Sequence, residues 1–213
     1  MSDSQADGQL LAPLAADEWG DEEYSAFGAL LGVPGEKVPR AGSGHAADPL
    51  NFDIIGLLAR HPKMARHLLT FNGWLLQRGE LPARLRELAI LRVALSRRSA
   101  FFWGEHVKVA SDGGVSADDI ERLARGNDGF DGADRLILDA TDELLAQGSA
   151  DASTWHRLSD RLGTHQAMEF IFVVGTYVML TMAFDTWRLT PPAGSGTLPD
   201  PDDNPSIDGS QTK

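Results

Sequence analysis

The chain contains no cysteine among its 213 residues. That absence excludes disulfides, thiolate nucleophiles, thiol redox cycles and cysteine-ligated metals together. Positive charge is scarce as well: 19 Lys and Arg against 31 Asp and Glu leave a net charge of −12 and a pI near 4.8. A field of that sign repels polyanions, so neither nucleic acid nor an anionic membrane surface is an expected partner. It also works against small anionic substrates unless local arginines reverse it at the site. No apolar run reaches the roughly 18 unbroken residues of a membrane span. The best candidate, FIFVVGTYVMLTMAF at 170–184, is interrupted by threonines and a tyrosine and bracketed by Glu169 and Asp185. It is expected as a buried helix, in the core or at a subunit interface. The opening MSDSQADGQLLAPLAADEW has no basic stretch leading into an apolar run, as a secretory leader would, and the cytoplasm is the expected location.

Two further absences narrow the chemistry. No GxGxxG follows a strand, because no stretch alternates persuasively enough to be one, so a dinucleotide site is not expected. The six histidines form no i, i+4 pair of the kind helical zinc sites use. His61 and His67 fall on different helix faces, and His156 and His165 lie either side of a break. No metal and no other cofactor is expected. His45, in a glycine-rich loop, is expected as a mobile surface residue rather than a lid.

What is present is helical. With 42% hydrophobic residues the chain can bury a sizeable core, and its length points to one domain with loose ends. Residues 1–16 are expected as a flexible N-terminus and 17–189 as one helical domain. The tail 190–213, rich in Pro, Gly, Ser and Asp, is expected to be disordered. The period predicts helices at about 18–31, 51–60, 62–78, 82–96, 100–112, 116–125, 133–147, 153–162 and 164–188. Pro62 and Pro82 suit first turns. Ser99 and Ser116 are candidate N-caps. The fold class is all-α.

Two residues stand out of this pattern. On a wheel of about 100° per residue, Glu87 falls beside Ala94, between Ile90 and Leu91. An unpaired carboxylate buried there costs several kcal/mol or takes up a proton. It needs a partner or a task. The same exercise on 100–112 puts His106 on an apolar face with Phe102, Trp103, Val109 and Ala110, while Glu105 points to an exposed edge. The connection at 97–99 is short, so the two helices are expected to pack with Glu87 and His106 meeting across the seam. A carboxylate bonded to an imidazole fixes its tautomer and lets the pair exchange a proton near neutral pH. A pair that merely satisfies two buried groups has the same spacing, and spacing alone favours it. Trp103 and Tyr177 are core candidates first and pocket-lining candidates second; Tyr177 needs a hydrogen-bond partner if buried.

The run LPARLRELAILRVALSRRSAFFWGEHVKVASDGGVSADDIERLARG resembles the core motif of the carboxymuconolactone decarboxylase family, which includes the alkylhydroperoxidase D proteins. The likeness extends over about 52–187. LLARHPKMARHLLTFNGWLLQRGELP resembles the helices before the motif, and MEFIFVVGTYVMLTMAFDTW resembles the closing helix. In the peroxidase branch a glutamate, two cysteines separated by two residues and a histidine four residues after the second make the site. Here those positions carry Glu87, Ser99, Phe102 and His106. The resemblance thus implies an alkylhydroperoxidase D-like helical domain with the proton-handling pair intact and both thiols replaced.

The decarboxylase branch, by the same resemblance, acts without cofactor on a small lactone acid and needs no thiol. The implied function is cofactor-independent acid–base chemistry, lyase-like or isomerase-like, on a small carboxylate, lactone or enolisable ketone, without thiol peroxidase activity. His106 is the implied general acid/base and Glu87 its orienting partner, with Ser99, Phe102, Trp103 and Tyr177 as candidate pocket residues. Arg84, Arg86, Arg92, Arg97 and Arg98 are all candidates to hold a carboxylate. Cysteine-less relatives often carry Tyr-Glu-Trp where this chain has Phe101-Phe102-Trp103, which implies a more apolar cavity. The family's habit implies a homotrimer or homohexamer. The alternative from another class is a non-catalytic oligomer of the same fold, binding a ligand or acting as a scaffold.

Overall fold

The computed structural model describes residues 8–191 and 194–200. Every regular element among them is helical, with no strand, as an all-α reading requires. Contacts concentrate on either side of Gly79 and divide the chain into two compact units, Met1–Gly79 and Glu80–Lys213. The sequence had suggested one domain over 17–189.

The first unit contains α1 (Asp21–Leu31), α2 (Asp53–Leu58) and α3 (Pro62–Gln77). Pro62 opens α3 with its missing N–H at a position that needs none, and the His61 ring accepts from the Met64 amide. Helices α1 and α3 pack closely because Gly73 presents no side chain. A Cβ there would stand 2.9 Å from the Leu30 carbonyl oxygen. Ahead of α1, the Leu14 amide donates to the Gly56 carbonyl at 2.8 Å, so the expected flexible N-terminus is tied down at that point. Residues 1–7 lie outside the described residues.

The second unit is built around α4 (Ala83–Ser96), which packs against α5 (Ala100–Ala110), α7 (Gly132–Gln147) and α9 (Thr164–Thr186). An element with neighbours on several sides must be apolar nearly all round, and the run from Glu87 to Leu95 is buried throughout. Its two charged members each meet a partner: Arg92 forks onto Asp142 at 2.6 and 2.9 Å, and Glu87 meets His106. Helix α6 (Ala117–Ala124) starts on the capping box foreseen at Ser116, reciprocated by Asp119. Helix α8 (Ala152–Leu162) is capped by Asp151 and packs on α9.

Helix α9 qualifies by length and composition as a membrane span: 23 residues, with a mean hydropathy of 1.8 in its most apolar window. The sequence reading had judged its apolar run too short. Ala167, Phe170, Val173, Tyr177 and Phe184 are nonetheless buried inside the unit, the mark of a core helix. Glu169 is buried too, and accepts the Leu81 amide at 2.7 Å, steadying the approach to α4. The tail expected to be disordered over 190–213 lies along α5 where it is described. Trp103 donates its indole N–H to the Thr197 carbonyl at 3.1 Å, and Arg98 donates to the Pro199 carbonyl at 2.6 Å. Residues 192, 193 and 201–213 fall outside the described residues.

Candidate active site

The α4–α5 hairpin sets the site. Helix α4 ends as Arg98 turns to φ +58°, a left-handed conformation unusual for a side chain larger than glycine, and the Ser99 amide donates back to the Ala94 carbonyl at 2.9 Å. That tight reversal lays α5 against α4. His106 Nδ1 then lies 2.8 Å from Glu87 Oε2. Both side chains are nearly out of solvent, Glu87 at 7% and His106 at 11% exposed.

An ionised carboxylate only accepts, so Nδ1 carries the proton and Nε2 is left as the free nitrogen of the neutral ring. Nε2 has no hydrogen-bond partner among the described residues. An imidazole held at one nitrogen and unpartnered at the other is the arrangement a general acid/base needs.

Aromatic rings shape the surroundings. The Tyr177 ring meets His106 nearly perpendicular, with centroids 4.9 Å apart. Phe102 stands edge-on to Tyr177 at 5.5 Å and stacks on Phe184 at 5.5 Å. Burial pushes the Tyr177 phenol well above its ordinary range; the nearby Glu87 charge adds to this and Arg86 opposes it. The phenol therefore stays protonated and keeps an O–H that can donate. Arg86 adds positive charge at the edge, its Nε 3.5 Å from Glu87 Oε1.

Two of the four candidate pocket residues, Phe102 and Tyr177, thus touch His106. The other two engage different partners. Trp103 turns its N–H to the tail. Ser99 occupies the N-cap position of α5 without capping it: its hydroxyl donates to Asp185 at 2.8 Å. Burial raises the Asp185 carboxyl above its ordinary range, and the Ser99 bond partly offsets this. Asp185 was missed as a partner because only its place at the end of the apolar run was visible in sequence. His45 is exposed, its ring accepting the Ala47 amide of its own loop. A cavity of about 260 Å³ in the first unit, lined among others by Arg66, Trp74 and Arg78, includes neither member of the pair. Among the described residues no group of three or more His, Asp or Glu side chains converges as metal ligands.

The site is thus a helical hairpin that buries a carboxylate against an imidazole, walled by aromatic rings and free of thiols. The model of the carboxymuconolactone decarboxylase family matches residues 62–143, and over that segment the chain is similar to this family. The match contains Glu87, Ser99, Phe102, Trp103 and His106 and ends before Tyr177 and Asp185. No curated protein and no solved structure matches the chain.

Proposed function

We propose that the chain is a cofactor-independent acid–base enzyme in which His106 moves the proton and Glu87 orients it. The observation that carries this reading is the 2.8 Å contact between Glu87 and Nδ1, with Nε2 left without a partner among the described residues. The substrate class is a small carboxylate, lactone or enolisable ketone. In an isomerisation, neutral Nε2 takes a proton from carbon beside a carbonyl and returns it to another position. In a decarboxylation, the departing CO2 leaves its bonding pair on carbon, the neighbouring π-system delocalises it, and Nε2–H of the protonated ring delivers the proton. The aromatic wall excludes water from that carbon, and Tyr177 offers a neutral O–H to a developing oxyanion.

The test is turnover on a panel of small lactone acids and keto acids. His106→Ala and Glu87→Gln should each lower it by about 100-fold or more, while full turnover in both variants ends the reading. The burial of both groups favours a second reading, a non-catalytic ligand-binding or scaffold protein in which the pair is structural. Under that reading the two variants lose thermal stability and keep their ligand affinity.

The same proposal includes self-association as a trimer or hexamer. Met168, Met179 and Met182 are exposed along one face of α9, Met182 at 63%, and such a stripe suits a contact with another copy of the chain.

A further inference from the structure

The arginines of α4 already face carboxylates: Arg84 meets Asp119 and Asp134, Arg86 lies beside Glu87, and Arg92 forks onto Asp142. Positive charge without such a partner gathers in the first unit, around the cavity of about 260 Å³. Local backbone makes that cavity. Helix α1 ends at Gly32, which turns to φ +70°, and the Val33 amide donates back to the Gly28 carbonyl at 2.9 Å. The chain then folds back along α1 until Gly35 lies against Ser25, where a Cβ would come within 2.8 Å of the Ser25 nitrogen. The space left between this fold-back and α3 is bounded by apolar Leu30, Val33 and Pro34 on one side. Arg66, Trp74 and Arg78 bound it on the other.

None of the lining residues is an Asp or Glu, in a chain that has 31 of them. Neither the Arg66 nor the Arg78 guanidinium has an acceptor among the described residues, and the Trp74 indole N–H and the Ser25 hydroxyl have no partner there either. Arg78 Nη2 stands 2.5 Å from where a Gly32 Cβ would be, so the missing side chain seats that guanidinium at the cavity wall. The neighbouring cavity makes a contrast. It shares Ser25 and Gly35 but brings Asp21 and Glu36 together with Arg40, whose guanidinium lies 4.6 Å over the Tyr24 ring. Four free donors and two positive charges, with no carboxylate among them, suit a ligand that is rich in acceptors and doubly negative. A phosphate monoester carries close to −2 and three strong acceptor oxygens. Two guanidiniums at one cavity also reverse the sign of the field that a chain of charge −12 presents elsewhere. Trp74 is 42% exposed and, with the apolar residues opposite, suits a flat ring attached to the phosphate. The volume falls just below the about 300–1,000 Å³ of pockets for drug-sized ligands, so the occupant is small.

We infer that this cavity is a second binding site, independent of the Glu87–His106 pair, and that its ligand is a small aryl phosphate. Arg66 and Arg78 hold the phosphate oxygens by charge-assisted hydrogen bonds, and the ring lies against Trp74. A neutral ligand of similar shape forgoes the charge-assisted bonds, and inorganic phosphate forgoes the aromatic surface.

The test is binding of phenyl phosphate, inorganic phosphate and phenol to the full-length protein, by calorimetry or ligand-observed NMR at low salt. Phenyl phosphate should bind with a Kd of about 1 mM or below, and each of the other two about tenfold or more weaker. Arg66→Gln and Arg78→Gln should each weaken phenyl phosphate about tenfold, while Arg157→Gln, at an exposed position on α8, should change nothing. Trp74→Leu should weaken phenyl phosphate and leave inorganic phosphate as it was. The comparison of the three ligands uses the unmodified chain and so stands even if a variant fails to fold. No binding of phenyl phosphate, or phenol or inorganic phosphate binding as tightly, overturns the inference. Full affinity in either arginine variant does the same; an Arg78→Gln chain that loses only stability means that this guanidinium serves the α1 terminus instead. His106→Ala should bind phenyl phosphate as the parent does, and loss of binding there overturns the inference by placing the ligand at the other site.

Discussion

Gly113 stands against the stem of Glu87. A Cβ there would lie 2.7 Å from Glu87 Cγ and 3.3 Å from the Ala110 carbonyl oxygen, so the stem of Glu87 must move to admit one. Gly113→Ala is predicted to cost ~1–3 kcal/mol of stability and to lower turnover about tenfold or more, since small displacements of a positioned group are expensive. Unchanged turnover with normal stability contradicts that placement. Glu87 and His106 were legible in the sequence because a charge or an imidazole on an apolar arc is a local anomaly that demands a partner. Gly113 was not. In sequence it is half of a helix-stopping Gly-Gly pair, and its role depends on a side chain arriving from another helix.

At the scale of elements, one ion cluster ties α4 to α6 and α7. Arg84 bonds Asp119 on α6 and Asp134 on α7. The Arg84 guanidinium holds the Asp119 carboxyl far below its usual range, with hydrogen bonds from Ser116 assisting and desolvation opposing. Since the folded value lies below the unfolded one, near 3.9, the stabilisation is fully present above about pH 5 and is lost as pH falls towards the folded value. Asp119→Asn is therefore predicted to cost ~1–2 kcal/mol at pH 7, with the gap to the parent closing below about pH 4. Denaturant titrations at both pH values check this, and a gap that persists unchanged at pH 3 contradicts it. The helices themselves were legible from period and caps to within a few residues at each end. Expectations missed where a distant group or a local backbone turn intervenes. Ser99 was read as a cap, but Asp185, 86 positions away, takes its hydroxyl. Helix α9 stops at Thr186 rather than 188 because Arg188 turns to φ +55°.

At the scale of the molecule, the exposed α9 stripe carries the self-association proposal. Met182→Glu is predicted to lower the mass measured by light scattering on a sizing column while leaving helical content unchanged. A mass equal to that of the parent chain contradicts the use of that face. The division at Gly79 was not legible, because the helical period runs on through the Gly-Glu-Leu-Pro turn and the distribution of contacts is not a local property of sequence. The absence of cysteine was the most far-reaching signal at this scale, since one count removed the peroxidase chemistry while leaving the scaffold and its Glu–His pair intact. The most direct measurement on that pair is deuterium uptake beside the carbonyl of 4-oxopentanoate, followed by proton NMR in D2O. The account predicts that the unmodified chain exchanges those hydrogens well above the buffer rate and that His106→Ala returns the rate to that of buffer. Exchange no faster than buffer with the unmodified chain, or undiminished in His106→Ala, contradicts it.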